Sequence, residues 1–259
     1  MEMQTRTAMI LAAGLGTRLR PLTDNMPKAL VPYRGVPMLG RLAIKLRSAG
    51  FMRIIINVHH FADMVEEYMA SNGNFGMQVT FSDERDLLRD TGGAIRHAAE
   101  YIRGPVLIHN VDIISDLNLG QFYDKSLECS RKHPDIAAVL CVSDRKSSRY
   151  FLTDRDGHLK GWIYPEKNIM KGIGKDCAVR SSGPKDMELI RCAFSGIHTI
   201  FPETVGLMAG MPEKFSVTDF YLNIADRHPV LCIQAPKGTE IADMGKLSVL
   251  SADLNGPLG

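Results

Sequence analysis

Apolar and polar positions follow two different spacings along this chain. Short apolar runs that end in glycine or polar residues predict buried strands at residues 8–11, 53–58, 77–82, 106–109 and 136–142. Apolar positions spaced by three and four residues predict intervening helices at residues 37–50, 62–71, 91–101 and 119–131, with Thr91 as the N-cap of the third. The repeated strand and helix order predicts a largely parallel sheet that is covered on both faces.

The second half of the chain has a different pattern. Asp156-Gly157 joins two apolar runs and favours a tight hairpin turn between strands at residues 150–153 and 159–163. Residues near 165–190 are rich in lysine and glycine and predict an exposed, mobile insertion. The remaining pattern predicts strands at 191–200 and 229–235 and helices at 217–225 and 246–252.

These elements predict one α/β unit over residues 1–259. We expect a Rossmann-like domain of three layers, with a mostly parallel sheet and a small antiparallel extension. Neither a repeat nor a linker divides the chain.

Composition excludes several classes of partner. The 31 basic and 29 acidic residues are well mixed and give a formal net charge of +2, so we expect neither nucleic acid nor a membrane as a partner. The first apolar run is too short for a signal peptide, and no stretch is long enough to span a membrane, which leads us to expect a cytoplasmic protein. The 5 cysteines are widely spaced without a C-x-x-C pair and indicate reduced thiols.

The most informative segment is residues 11–30, which reads L-A-A-G-L-G-T-R-L-R-P-L-T-D-N-M-P-K-A-L. Glycine allows backbone N–H groups to approach an anion closely after the first strand. Arg18, Arg20 and Lys28 supply positive charge nearby, so the segment predicts a polyphosphate site.

Two well-known phosphate loops do not fit this segment. In the P-loop, a lysine and Ser/Thr follow the second glycine directly, whereas Gly16 is followed by Thr17 and Arg18. The dinucleotide fingerprint G-x-G-x-x-G starts at Gly14 but has Leu19 at its third glycine. A redox dinucleotide is therefore not expected.

The segment as a whole resembles the signature of the sugar-phosphate nucleotidyltransferases, with both G-L-G-T-R-L-R-P-L-T and P-K-A-L-V-P intact. The resemblance implies an enzyme that condenses a nucleoside triphosphate with a sugar 1-phosphate and releases pyrophosphate. A strand-to-helix turn that binds nothing is the alternative, although such a turn needs neither the arginine nor the lysine.

The resemblance also implies roles for individual residues. Arg18 would hold the departing phosphates, Lys28 would contact the reacting phosphates, and Arg20 would at most support the loop. Asp112 in I-H-N-V-D and Asp243 in E-I-A-D-M-G-K match the family's metal positions, although Val111, Ala242 and Met244 are not its usual neighbours. The implied cofactor is Mg²⁺, which one or two carboxylates and substrate phosphates commonly hold in proteins. The nucleotide-binding residues would be Leu11, Ala12, Ala13, Gly14, Gly16, Thr17, Thr91, Gly92 and Gly93.

Contacts to the sugar phosphate are expected in the second half of the chain. Asn110, Ser195 and Gly196 are the candidates, the last two within F-S-G-I, which could equally be a bulge in a strand. Residues 1–115 would then form a nucleotide-binding half and residues 116–259 a sugar-phosphate-binding half. His59 and His60 end the second predicted strand, and their role stays open.

Short members of this family lack a C-terminal β-helix domain, and the chain ends soon after Asp243. N-V-H-H-F-A-D and A-F-S-G-I look most like the uridylyltransferases of N-acetylmuramate 1-phosphate. Guanylyltransferases of mannose or heptose 1-phosphate and a non-catalytic regulatory paralogue are alternatives. A glycosyltransferase would need a D-x-D motif, and D-I-I-S-D at residues 112–116 has the wrong spacing. Base, sugar and homo-oligomeric state stay open.

Overall fold

The computed structural model describes residues 5–172 and 189–254. Its helices are α1 (Met38–Ser48), α2 (Ala62–Ser71), α3 (Asp90–His97), α4 (Leu119–Lys132), α5 (Pro202–Leu207), α6 (Val217–Ile224) and α7 (Leu247–Leu254). Its first seven strands are β1 (Arg6–Leu11), β2 (Pro32–Tyr33), β3 (Val36–Pro37), β4 (Phe51–Val58), β5 (Gln78–Asp83), β6 (Val106–Asn110) and β7 (Ile113–Ser115). The others are β8 (Ala138–Ser143), β9 (Tyr150–Thr153), β10 (Leu159–Tyr164), β11 (Ile169–Gly172), β12 (Ile190–Ile200), β13 (Val230–Gln234) and β14 (Ile241–Asp243).

Within the described residues, a sheet of ten strands forms the centre of the molecule. β5, β4, β1 and β6 pair in parallel in that order, while β12 runs antiparallel between β6 and β8. β13 pairs with β8 in parallel. The predicted α/β fold with a mostly parallel central sheet is confirmed.

Alternation along the central strands distributes the helices over two faces. Ala8 and Ile10 of β1 pack into a core with apolar residues of α1, α2 and α4. Met9 lies between them in sequence and faces the opposite core, together with residues of α3 and α6. Successive side chains of a strand point to opposite faces, so one run of apolar residues supplies both cores and produces three layers.

The antiparallel extension is formed by β9, β10 and β11, which continue from one end of β12. The predicted hairpin is confirmed, with strands at Tyr150–Thr153 and Leu159–Tyr164. The predicted insertion needs a correction, because its first part is the ordered and exposed strand β11 paired with β10. The rest of the insertion, residues 173–188, and Cys177 lie outside the described residues.

The predicted helix at residues 91–101 needs correction at both ends. α3 begins at Asp90, so Thr91 lies inside its first turn rather than at the N-cap, and residues 99–101 form a separate 3-10 turn. The hydroxyl of Thr91 instead accepts a hydrogen bond from the backbone N–H of Val217 at 3.0 Å. The short pair β7 and β14 and the helix α5 give too little periodicity to be predicted from sequence.

None of the helices in the described ranges combines the length and apolar character that crossing a membrane requires.

Candidate active site

The predicted phosphate loop, residues 12–23, follows β1 at the carboxyl edge of the parallel strands. Gly16 has φ +67°, and a Cβ there would lie 2.8 Å from Thr23 Cγ2, so the turn requires glycine. The carbonyl of Gly16 accepts hydrogen bonds from Leu19 N at 2.8 Å and from the Thr23 hydroxyl at 2.9 Å. Leu19 is fully buried, which anchors the turn while the neighbouring Arg18 stays exposed.

Lys28 approaches this loop from a second turn. Pro27 is extended with φ −69°, and the 3-10 turn Lys28–Leu30 follows, with Ala29 fully buried beneath it. Lys28 Nζ forms an ion pair and hydrogen bond with Asp112 Oδ2. Only 14% of the lysine side chain and 9% of the aspartate side chain are exposed, so water screens this pair weakly.

Asp112 and Asp243 come together because β7 and β14 pair. Asp243 lies opposite Ile113 in that ladder, and the backbone N–H of Met244 donates to Asp112 O at 2.9 Å. A Cβ on Gly245 would lie 2.5 Å from Asp112 Oδ2, 2.8 Å from Asp243 Oδ1 and 2.9 Å from Arg18 Nη2. Two carboxylates and a guanidinium therefore converge on the space that this glycine leaves open.

This convergence fits a divalent cation. Carboxylate oxygens are the ligands that Mg²⁺ prefers, and one or two of them commonly suffice when substrate phosphates complete the coordination. The residues that would hold the ion are Asp112 and Asp243, with Gly245 as the position that keeps their oxygens accessible.

A buried polar chain connects the ends of three strands beneath the loop. Asn57 Oδ1 accepts from Ala12 N at 2.7 Å, and Asn57 Nδ2 donates to Glu84 Oε1 at 2.8 Å. Glu84 is fully buried, and its Oε2 accepts from Arg89 N at 3.0 Å. The chain fixes the loops after β1, β4 and β5 relative to one another.

A cavity of about 450 Å³ lies above these residues. The predicted residues that line it are Leu11, Ala13, Gly14, Arg18, Lys28, Thr91, Asn110, Asp112 and Asp243. The predicted nucleotide-binding residues that do not line it are Ala12, Gly16, Thr17, Gly92 and Gly93. The structure therefore gathers most of the predicted set at the carboxyl edge of the sheet, as expected for ligands of α/β proteins.

Gly92 and Gly93 are packing positions. Both backbone N–H groups donate to Phe215 O, at 2.9 Å and 3.2 Å. A Cβ on Gly92 would lie 2.3 Å from the Phe215 ring, and one on Gly93 would lie 2.3 Å from Glu213 O. The two glycines bring α3 against the segment that leads into α6, and their amides have an internal acceptor.

A second cavity, of about 690 Å³, joins the first. Both are lined by Asp90, Thr91, Asn110, Ile113 and Asp243, and the second extends towards β9, β10 and β12.

Asn110, Ser195 and Gly196, the predicted sugar-side residues, all line the second cavity. Gly196 has φ +77°, and a Cβ there would lie 2.8 Å from Asn110 Nδ2. Ser195 is fully buried, and its hydroxyl donates to Cys141 O at 2.7 Å and accepts from Ile197 N at 3.1 Å. The Ser195 hydroxyl therefore holds the bulge of β12.

A family model described as nucleotidyl transferase matches residues 7–160, which is more than half of the chain. The chain belongs to the nucleotidyl transferase family. The matched range contains the phosphate loop, Lys28 and Asp112, and it ends before Asp243.

Curated relatives of this nucleotidyl transferase include the N-acetylmuramate alpha-1-phosphate uridylyltransferase of Caulobacter vibrioides, 41% identical over 117 residues. That match covers 44% of this chain and 48% of the relative, so the chain spans about half of the relative's length. The mannose-1-phosphate guanylyltransferase catalytic subunit beta of Drosophila pseudoobscura pseudoobscura is 28% identical over 227 residues, covering 84% of this chain and 58% of that protein.

Among solved structures, a UDP-glucose pyrophosphorylase complexed with UDP-glucose superposes with a TM-score of 0.72 at 15% identity. The superposition covers 97% of this nucleotidyl transferase and 98% of that chain. At this level of identity, the likeness describes the fold.

Sequence reasoning missed three residues of this nucleotidyl transferase site. Asn57 and Glu84 lie at the carboxyl ends of predicted parallel strands. Polar residues at these ends meet at one edge of the sheet, and this rule could have identified both residues from the sequence. Gly245 lies within the E-I-A-D-M-G-K segment, but its importance depends on the approach of Asp112, which is remote in the chain.

The histidines have supporting positions in this nucleotidyl transferase. His59 Nδ1 lies 2.6 Å from Glu84 O, the His60 ring packs on Phe61 with centroids 3.9 Å apart, and neither histidine lines the two cavities. His109 is buried with Nδ1 2.8 Å from Asn110 O, and burial lowers its pKa to about 4.

Another group of the nucleotidyl transferase could hold a metal ion. Asp154, Asp156 and His158 at the turn between β9 and β10 have ligand atoms within 4.8 Å of one another. Lys160 Nζ lies 3.3 Å from Asp154 Oδ2 and already neutralises part of this charge. The turn is separate from the Asp112 and Asp243 pair.

Proposed function

We propose that this protein transfers a nucleoside monophosphate from a nucleoside triphosphate to a sugar 1-phosphate. An oxygen of the sugar phosphate forms a bond to the α-phosphorus, the bond to the β-phosphate oxygen breaks, and pyrophosphate leaves. The single observation that carries the proposal is the convergence of Lys28, Arg18, Asp112 and Asp243 at the first cavity, where Asp243 also lines the second.

The reaction depends on neutralising the charge of the phosphates, and it does not need a general base. A phosphate monoester has a second pKa of about 6 and is largely ionised at neutral pH, so no side chain must deprotonate the nucleophile. Lys28 would move from Asp112 to the reacting phosphates, and Arg18 would bind the departing phosphates. Mg²⁺, when Asp112 and Asp243 hold it, supplies further positive charge at the reacting phosphates.

The two cavities suggest where each of the two substrates binds. We place the nucleotide in the first cavity and the sugar phosphate in the second, which corresponds to residues 1–115 and 116–259 as two functional halves. Supporting this division, the phosphate loop lies at the first cavity, while β9, β10 and β12 line the second.

For the substrates, we propose UTP and N-acetylmuramate 1-phosphate. The relative with this activity in its name supports the choice, since it is 41% identical over 117 residues. Guanylyl transfer to mannose 1-phosphate is a second candidate, because the named guanylyltransferase subunit is similar over 84% of this chain.

The decisive experiment is a matrix of five nucleoside triphosphates against several sugar 1-phosphates, scored by pyrophosphate release with Mg²⁺. We expect release with at least one pair, and loss of about a hundred- to a thousand-fold in kcat for Lys28→Ala and Asp112→Asn, because one group that stabilises transition-state charge contributes about this much. The exposed lysine of α4 provides a control, Lys125→Ala, which should keep full activity.

Two results would contradict the proposal. One is pyrophosphate release that survives in Lys28→Ala and Asp112→Asn. The other is nucleotide-sugar binding without release for every pair, which would favour the regulatory alternative.

A further inference from the structure

Two buried polar groups at the second cavity have no hydrogen-bond partner within the described part of the chain. His198 is 1% exposed, and neither of its ring nitrogens is paired. Arg145 Nε is also buried and unpaired. An unsatisfied buried donor costs free energy, so such groups in a cavity wall indicate a missing ligand.

Both residues lie next to Phe194. Arg145 Nη2 donates to Phe194 O at 3.0 Å, which fixes the guanidinium against β12. The His198 ring centroid lies 5.5 Å from the Phe194 ring and 5.6 Å from the Tyr221 ring. Arg145, Phe194 and His198 all line the second cavity and form one continuous part of its wall.

The surrounding charge is positive. Arg149 Cζ and Lys167 Nζ lie 5.3 Å and 5.2 Å from the centroid of the Tyr164 ring, and neither has an ion-pair partner among the residues described. Lys171 is paired with Asp219 at 2.7 Å, so that acid is already neutralised.

The remaining acids of this cavity, Asp90 and Asp243, lie on the wall that it shares with the first cavity. As far as the described residues extend, the wall of Arg145 and His198 therefore has no unpaired acid to repel an anion.

We propose that Arg145 and His198 bind a carboxylate carried by the sugar, so that they are specificity-determining residues for an acidic sugar 1-phosphate. This inference rests on the proposed function and names the substrate class of the same site. Burial lowers the pKa of His198 to about 3, so its neutral ring can donate one N–H. The guanidinium of Arg145 keeps its charge and offers a second N–H donor.

Two sugars provide a matched test. N-acetylmuramate 1-phosphate differs from N-acetylglucosamine 1-phosphate by a lactyl ether that carries a carboxylate. Calorimetric titration of the full-length protein with each sugar phosphate in the presence of Mg²⁺ measures the affinity ratio without requiring turnover. We expect the wild type to prefer the acidic sugar by about ten- to a hundred-fold, as for a hydrogen bond to a charged group.

The affinity ratio in variants of Arg145 and His198 then tests whether these residues bind the carboxylate. Arg145→Gln should reduce this preference to within about three-fold while affinity for the neutral sugar changes little, and Arg145→Lys should retain part of it. His198→Phe should weaken binding of the acidic sugar without lowering the melting temperature, because it removes two unpaired buried nitrogens. The neighbouring exposed residue provides the control Lys146→Gln, which should bind like the wild type.

Equal affinity of the wild type for the two sugars, or no binding of either, overturns the inference. An equal loss for both sugars in Arg145→Gln also overturns it, since that would indicate a structural role. The proposed function fails separately, when no pair of substrates releases pyrophosphate although the acidic sugar binds selectively.

Discussion

The charged residues of the candidate site compensate one another. Lys28 neutralises Asp112 directly, and Arg18 lies beside the oxygens of Asp112 and Asp243 around Gly245. Two cations thus face two anions in a site that is partly shielded from water. Substrate phosphates and Mg²⁺ can exchange partners with these four groups on binding, so each buried charge keeps an opposite charge beside it.

Gly245 gives a prediction at this scale. In Gly245→Ala, the new Cβ would meet Asp112 Oδ2 at 2.5 Å and Asp243 Oδ1 at 2.8 Å, so both carboxylates must move. Side-chain ends can shift while the fold is preserved, but a displacement of this size costs on the order of a hundred-fold in kcat. Pyrophosphate release and circular dichroism would measure the two effects. Gly210→Ala is the matched control, since nothing lies within 4 Å of its added Cβ.

The buried histidines predict a dependence of stability on pH. Burial lowers the pKa of His109 to about 4 and that of His198 to about 3, whereas an exposed histidine titrates near 6.5. As the pH falls below 6.5, the unfolded chain binds protons that the folded chain does not bind. The free energy of unfolding should therefore decrease with falling pH, by up to about 1.4 kcal/mol per pH unit for each histidine.

Urea denaturation between pH 7 and pH 4 tests this expectation. His198→Phe removes one of the two protons, so its slope in this range should be smaller than that of the wild type. An identical slope for both proteins would show that His198 is accessible to protons in the folded state.

At the scale of elements, the bulge of β12 shapes the second cavity. Phe194 pairs with Val142 and His198 with Leu140, so three residues of β12 lie opposite one residue of β8. Gly196 supplies the positive φ, and the Ser195 hydroxyl satisfies backbone groups on both strands. The second cavity is lined on this strand by residues in and beside the bulge, namely Phe194, Ser195, Gly196 and His198.

Two substitutions on this strand should differ in their effect on stability. Ser195→Ala removes the partner of both Cys141 O and Ile197 N and should lower the free energy of unfolding by about 1–3 kcal/mol. Thr199→Val removes a buried hydroxyl that has no partner in the described residues, and it should be neutral or stabilising. Chemical denaturation of both variants makes the comparison, and equal losses would argue against a hydrogen-bonding role for Ser195.

At the scale of the whole molecule, the site lies where the two parts of the chain meet along one sheet edge. The parallel strands β1, β4, β5 and β6 bring their carboxyl ends together, and β14 returns to β7 from near the end of the described chain. Apolar residues of the strands and helices form the core on each face of the sheet, so packing supports this edge from both sides.

This arrangement predicts that metal removal affects activity and not folding. Chelation with EDTA should abolish pyrophosphate release, and added Mg²⁺ should restore it. The melting temperature of the free protein should stay unchanged, because Lys28 already pairs with Asp112 and the guanidinium of Arg18 lies near both carboxylates. Differential scanning calorimetry with and without EDTA is the measurement, and a large drop in melting temperature would instead indicate a structural metal.

The sequence by itself determined the local elements and the phosphate loop. The apolar run of β1 and the spacing of apolar residues in α1 and α4 act between near neighbours in the chain, so they are readable without a structure. The same holds for the loop with Gly16, Arg18 and Lys28, whose roles come from a continuous segment.

Only the tertiary structure decided which remote groups meet. The pairing of β7 with β14 places Asp243 beside Asp112, and the packing of Phe215 on Gly92 gives that glycine an internal role. The partners of His198 and Arg145 are likewise set by elements distant in sequence. The physical reason is that the spacing of residues in the sequence fixes which face of a strand or helix carries a side chain. The groups that the side chain contacts depend on which elements pack together to bury both faces of the sheet.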